Sequence, residues 1–208
     1  MAPTAARRQH SDTDTASQIL DVAERLAQRR GFNGFSYADI ADELHITKPA
    51  LHYHFASKAI LGEALIRRYA AWFAEALTAV DTDLADAPAK LEAYADLYLD
   101  VLRNQRMCLC GMLASEYQTL PEPIQRAVIR FFDDNEAWLE GVLEQGQREG
   151  SLHVSGSRSE AARTIVSALE GAMLVARPYG DVARFQAAAT RLLEGLASPQ
   201  RAEAAGRR

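Results

Sequence analysis

The sequence predicts an all-α protein of about nine helices, from three observations. Apolar residues recur at spacings of three and four through most of the chain, which places them on one face of a helix with 3.6 residues per turn. Alternating apolar and polar runs bounded by turn residues, the mark of half-buried strands, are scarce. Start signals (Ser, Thr or Asp ahead of an apolar stripe) and stop signals (Gly or Pro behind it) punctuate the chain at helix-length intervals.

Thr15, with Gln18 three residues on, forms a capping box for a first helix over about 15–30, with Ile19, Ala23, Leu26 and Ala27 on one face and Gly31 as the stop. Ser36 and Asp39 start a short second helix over about 37–44, and Thr47 caps a third over about 48–54. Ser57 caps a long fourth helix whose stripe is Leu61, Leu65, Tyr69, Trp72, Ala76 and Val80, ending near Asp81 and Asp83. Tyr94, Leu97, Tyr98, Val101 and Leu102 mark a fifth, and Leu109, Met112, Leu113 and Tyr117 a shorter sixth that Pro121 and Pro123 punctuate. The seventh starts near Pro123, since proline fits a first turn, and carries Ile124, Val128, Phe131, Trp138 and Val142 to about Gly150. Ser157 and Glu160 cap an eighth over about 158–177, with Ala162, Ile165, Val166, Leu169, Ala172, Met173 and Ala176 on its apolar side. Asp181 caps a ninth over about 181–197, bearing Val182, Phe185, Ala189, Leu192, Leu193 and Leu196.

With 208 residues, 48% apolar and 25% charged, the chain has the material for one large or two small cored domains, which excludes global disorder. No window approaches the ~18 consecutive apolar residues of a membrane span, and the first residues lack the apolar stretch of a secretory signal. The expectation is a cytoplasmic protein with no membrane partner. Cys108 and Cys110 stand one residue apart and cannot staple a fold. A formal charge of -5 argues against nucleic acid if taken whole, but residues 1–58 hold seven Lys/Arg and seven Asp/Glu. The acidity is all downstream, while His10, His45, His52 and His54 fall in the neutral part, so two functional regions are expected.

Two helices of about two turns each, joined by His45, Ile46 and Thr47, have the length pattern of a helix-turn-helix, although any two short helices share it. The second would read DNA: Lys48, Pro49, Ala50, His52 and Tyr53 lie on its outer side, while Leu51 and Phe55 face inward. Thr47 at its N-cap, beside the free N–H groups of a first turn, suits a phosphate, and Lys58 can clamp a second. These residues carry a resemblance. The run from Gly31 to Leu61 resembles the DNA-binding segment of the TetR family of bacterial transcriptional repressors, through Ala41, Ile46, Thr47, Leu51, Tyr53, His54, Phe55, Lys58 and Leu61. His45 stands where the family commonly has Gly, and His52 where it commonly has Tyr. The resemblance implies that Ser36, Thr47, Tyr53 and Lys58 contact phosphates of double-stranded operator DNA and that Lys48, Pro49, Ala50 and His52 lie nearest the bases. His54 is either a further DNA contact or a packed or capping histidine.

The resemblance also implies a C-terminal ligand-binding domain and a homodimer formed through the last two helices. Those helices are apolar along a whole side and rich in Ala, as two-fold packing needs and as a monomer's interior would also be. The expected organisation is a flexible tail over 1–13, a three-helix DNA-binding domain over 14–58, a helical effector-binding and dimerisation domain over 59–197, and a flexible tail over 198–208.

Tyr94, Tyr98, Cys108, Met112, Tyr117, Phe131 and Trp138 cluster on the fifth to seventh helices and are candidates to line a site for a small organic effector, though stripes at helical spacing are also what plain core looks like. Arg106, Arg130, Glu170 and Arg177 border these stripes, where they meet either solvent or a charged ligand group. The stretch MCLCGMLASEYQTLP resembles one found in some TetR-type regulators. Cysteines at i and i+2 of a helix point about 200° apart and cannot close on one metal ion, and no cofactor motif is present, so neither metal nor cofactor is expected. The chain should be a ligand-responsive repressor released from a palindromic operator by its effector. One alternative is an oxidant or electrophile sensor working through Cys108 or Cys110. A remote one is an enzyme using Cys108 with His153, for which no orienting group is evident.

Overall fold

A computed structural model describes residues 4–198 of the chain, with side chains from residue 14 onward. Among the described residues there are nine α-helices, two 3-10 turns and no strand. The helices are α1 (Thr4–Arg30), α2 (Tyr37–Leu44), α3 (Lys48–His54), α4 (Lys58–Asp83), α5 (Ala87–Arg103), α6 (Leu109–Ser115), α7 (Glu122–Glu149), α8 (Arg158–Ala176) and α9 (Val182–Glu194). The all-α expectation holds, and α2 and α3 have the bounds their caps predict.

Three details differ from the sequence expectation. α1 begins at Thr4 and runs through the expected start at Thr15. No Gly or Pro interrupts residues 4–30, so the backbone ladder has no reason to break, and Gln18 bonds Asp14 on the exposed face (Nε2 to Oδ2, 3.3 Å) rather than closing a cap. The backbone of 4–13 is thus helical, while residues 1–3 and 199–208 of the expected tails lie outside the described residues. Tyr117 lies not on α6 but in the 3-10 turn Tyr117–Thr119 that follows it. The inner stripe of α4 continues from Tyr69 through Phe73 and Leu77, whereas Trp72 is 44% exposed. Over this length steps of four track one side of the helix as well as mixed steps of three and four do, so the spacing alone leaves both faces open.

The described residues form two compact units, one of those up to Tyr69 with Leu109–Val128, the other of Ala70–Cys108 with those from Ile129 onward. The first unit alone reaches past the expected boundary at 58/59, through residues 59–69 and through its second segment, because α6 and the first turns of α7 pack with the N-terminal helices. In the first unit Ile19, Ala23, Ile40, Leu51, Leu61, Leu65, Leu109, Leu113 and Ile124 are buried. A Cβ on Gly62 would lie 2.7 Å from Phe32 Cζ and would also collide with Ile124, so α4 approaches both closely. Arg68 on α4 reaches α1 at Asp21 (2.7 Å) and Glu24 (2.8 Å).

In the second unit α8 packs along α9, and α9 along α5, over a core that includes Leu91, Ile165, Leu169, Met173 and Phe185. Ser157 and Glu160 close the capping box of α8, and Asp181 caps α9 by accepting from the Ala183 N–H at 3.0 Å. An isolated bridge between Leu152 and Ala197 holds the chain after α9 against the turn after α7, and the Ser198 N–H donates to the Ser151 carbonyl at 3.1 Å.

Candidate functional site

The turn between α2 and α3 is built on His45, whose φ of 54° lies in the left-handed region that favours glycine. Its N–H and that of Ile46 both return to the Ala41 carbonyl, which closes α2 and frees the chain to start α3 two residues later. Thr47 caps α3, its Oγ1 accepting from the Ala50 N–H at 3.3 Å. Leu51 and Phe55 pin the helix to the core. This leaves Lys48, Pro49, His52 and Tyr53 exposed in one outward row with Ala50 half-buried, and Tyr53 is 76% exposed.

The remaining predicted contacts are less free. His52 stays at the surface, but its Nδ1 lies 3.2 Å from the Ala56 carbonyl and its ring 4.8 Å from that of Tyr37. Tyr37 donates to the Phe55 carbonyl at 2.8 Å, and burial pushes its hydroxyl up to about 12. His54 is half-buried with its ring edge-on to that of the exposed Tyr53 at 5.2 Å. Ser36 donates its hydroxyl to Asp39 at 2.6 Å and its N–H at 2.8 Å, and these bonds hold the Asp39 carboxyl below the usual range. Lys58 is turned inward. Its ammonium donates to the Phe35 carbonyl and lies over the rings of Phe32 (4.9 Å) and Phe35 (4.4 Å). Burial lowers its pKa against the opposing pull of Glu116 and Asp39.

Glu116, just beyond α6, is a residue that sequence reasoning missed. Its carboxylate accepts from the backbone N–H of Phe32 at 2.7 Å and of Asn33 at 3.2 Å, and the Asn33 side chain donates to Thr119 Oγ1 at 2.7 Å. The only local signal was Gly31, legible as a helix stop but silent on its partner.

The second unit gathers part of the predicted effector set. Tyr94 stacks on Trp138 (5.6 Å, 22°), meets Tyr98 at 5.4 Å, and Phe73, which the sequence stripe had passed over, touches Tyr94, Tyr98 and Phe131 edge-on. The phenol oxygens of Tyr94 and Tyr98 are 3.1 Å apart, and Tyr94 also donates to the buried Asn135 Oδ1 at 3.1 Å. Burial raises both phenols well above their ordinary range. Asp81 anchors Trp138 by accepting from Nε1 at 2.9 Å and holds Lys90 at 2.8 Å.

Cys108 and Cys110 are both buried and outside any disulfide, and Cys108 donates toward Glu170. Burial pushes the Glu170 carboxyl up to about 7, with the Cys108 hydrogen bond opposing, and Glu170 Oε1 is buried without a hydrogen-bond partner. Arg106 Nε is buried in the same condition. Met112 and Tyr117, by contrast, belong to the first unit. An open groove of about 840 Å³ lies along a different face of α5, against α9, lined by Leu91, Leu99, Leu152, Phe185 and Leu193 with Glu92 and Asp96 at its edge. Among the described residues no cluster of His, Cys, Asp and Glu could hold a metal ion, and no helix is long and apolar enough to cross a membrane.

Residues 19–65 match the family model described as bacterial regulatory proteins, tetR family, and residues 87–192 match the tetracyclin repressor-like C-terminal domain. A TetR-family regulator from Agrobacterium tumefaciens superposes with a TM-score of 0.87 at 32% identity, covering 90% of this chain and 100% of its own. One from Legionella pneumophila gives 0.80 at 34% identity, covering 88% and 97%. The HTH-type transcriptional repressor KstR2 of Rhodococcus jostii is 26% identical over 220 residues, 96% of this chain and 99% of that protein. With a helix-turn-helix whose outer row faces solvent and both halves matched over most of their length, the chain belongs to the TetR family of bacterial regulatory proteins, DNA-binding regulators of transcription.

Proposed function

We propose that this regulator is a cytoplasmic repressor, as its relative KstR2 is named, which binds a palindromic operator as a homodimer through its last two helices and leaves it when a small organic effector binds the second unit. The supporting observation is the exposed row on α3, Lys48, Pro49, His52 and Tyr53, on a helix capped by Thr47 and anchored by Leu51. Lys48 and His52, with Pro49 and Ala50, take the base edges, while Tyr53 and the Thr47 end of the helix take phosphates. Phosphate contacts are blind to sequence, so Tyr53→Phe weakens operator and random DNA alike. Lys48→Ala or His52→Ala changes base preference, at about 1–3 kcal/mol per lost base contact. Selection of bound duplexes from random-sequence DNA, repeated with each variant, checks this; unaltered affinity and preference in both Lys48→Ala and Tyr53→Phe defeats the assignment.

For the effector, the face formed by Tyr94, Tyr98, Phe131 and Trp138, joined by Cys108 and Glu170, favours an apolar body that brings a hydrogen-bond donor for the unpartnered Glu170 oxygen. Burial of both thiols favours a noncovalent effector over a reactive cysteine.

Glu170 gives this region a pH signature. Its carboxyl holds its proton up to about 7 in the folded chain against 4.5 as the ordinary value, so between those pH values the unfolded chain has released a proton that the folded chain keeps. Stability therefore falls as pH rises through that window, by on the order of 3 kcal/mol in all. Asp39, Asp81, Glu149 and Glu160, whose carboxyls are held low, act with the opposite sign at lower pH. Thermal melts from pH 5 to 8 should show this fall in the wild type and lose it in Glu170→Gln, and identical profiles for the two contradict the assignment.

A further inference from the structure

We propose that Glu116 is a positioning residue for operator binding, whose carboxylate grips the loop between α1 and α2 and so sets how α2 and α3 are presented to DNA; this rests on the reading of α3 as the DNA-reading helix. The grip is specific. Glu116 stands 84 residues from Phe32 in the chain, yet accepts from two consecutive backbone N–H groups, of Phe32 at 2.7 Å and Asn33 at 3.2 Å. Hydrogen bonds to an ionised acceptor are roughly twice as strong as neutral ones. The position before them is shaped to admit the carboxylate: Gly31 turns the chain out of α1 with φ +86°, and a Cβ there would lie 2.5 Å from Glu116 Oε1. Thr119, one turn further on, receives the Asn33 side chain at 2.7 Å. From the other side the Lys58 ammonium lies over Phe32 and Phe35, bonds the Phe35 carbonyl and feels the Glu116 charge. Residues 31–35 are therefore clamped between a carboxylate and an ammonium, and α2 starts at Tyr37, directly after them.

The sign of the effect separates this role from that of a bystander. A carboxylate close to a DNA-binding surface repels phosphates, so removing one with no other task strengthens binding to every duplex. Removing a positioning carboxylate weakens the operator complex, which needs both reading helices in register, and leaves sequence-independent binding intact or stronger.

The test uses the full chain, an operator duplex selected from random-sequence DNA by the wild type, and a random duplex of equal length. Glu116→Ala should lower operator affinity by about 5- to 150-fold, the usual range of coupling between sites, without lowering affinity for the random duplex. Glu116→Gln, which keeps an acceptor oxygen, should lose less, and it carries the test if the alanine variant does not fold. The amides of Phe32 and Asn33 should exchange slowly with solvent in the wild type and fast in the variant. Operator affinity that is unchanged or raised, or that falls together with random-duplex affinity, overturns the proposal, as does fast exchange of both amides in the wild type. A wild type that selects no duplex at all would instead sink the DNA-reading assignment, and the exchange measurement would still decide whether the carboxylate holds the loop.

Discussion

Val175→Glu should convert the protein to a monomer at micromolar concentration and lower its operator affinity by at least two orders of magnitude. α8 exposes Leu174 (62%) and Val175 (60%), and Tyr179 just beyond it is 62% exposed with Arg184 3.8 Å above its ring. Adjacent apolar side chains left open on one helix, on a chain of net charge -5, are the surface on which the proposed second copy would pack. At a two-fold interface a new carboxylate meets its own symmetry copy, so one substitution places two like charges together without touching the subunit's own core. Two linked reading heads gain roughly 10²–10⁴ in avidity over one, and the monomer forfeits that factor. The choice of residue matters. Leu193, on the apolar stripe that the sequence assigned to pairing, lines the groove against α5 and is half-buried, so Leu193→Glu damages its own subunit first. Sedimentation equilibrium together with operator titration decides the matter. A dimeric Val175→Glu, or a monomeric wild type, contradicts the interface.

Lys58→Ala should cost about 2–4 kcal/mol of stability and leave the salt dependence of DNA binding unchanged. The lysine was expected on a phosphate, where its loss would flatten the salt slope by about one. Its ammonium is instead spent inside the head, on the Phe35 carbonyl and two aromatic faces. A hydrogen bond from a charged donor contributes about 1.5–3 kcal/mol and a desolvated cation–π contact about 2, and these overlap rather than add. Removal also leaves the Phe35 carbonyl without its partner and a gap between the rings. Denaturant melts should register the loss directly. An unchanged melt with a shallower salt slope would place the ammonium on DNA after all.

How much of this was legible in the sequence varied with the physics involved. α2 and α3 were readable to the residue because their starts and stops are local: Ser36 with Asp39 and Thr47 cap, and His45 takes the left-handed turn. The start of α1 was not, since Thr15 and Gln18 satisfy a capping pattern that the uninterrupted helix before them makes unnecessary. Trp72 and Phe73 are neighbours with equal claims to the core, and only the packed unit chooses between them. The same limit applied to side chains with inward partners: Ser36 and Lys58 have the chemistry of phosphate contacts, and nothing in their local sequence announces Asp39's hold on one or the aromatic seat of the other. Glu116 was out of reach altogether, because its two bonds go to main-chain groups 83 and 84 residues away, which carry no residue-type signature. The aromatic group around Tyr94 was legible as a cluster, but Met112 and Tyr117 were counted with it on proximity in sequence alone.

The discontinuity of the first unit has a consequence for how the protein is made. Residues 4–69 leave the ribosome well before Leu109–Val128, and residues 70–108 intervene. Until α6 and the start of α7 emerge, the amides of Phe32 and Asn33 lack their carboxylate and the bare face of Gly62 lacks Ile124, so the nascent head presents an unfinished apolar seam. Domains generally complete folding as units during synthesis at about 5–20 residues per second, so this head waits several seconds for its last piece. A fragment ending at residue 69 repeats that waiting state permanently, and it should be recovered from cells as a chaperone-bound or aggregated chain, whereas one that restores 109–128 in trans or by fusion should not.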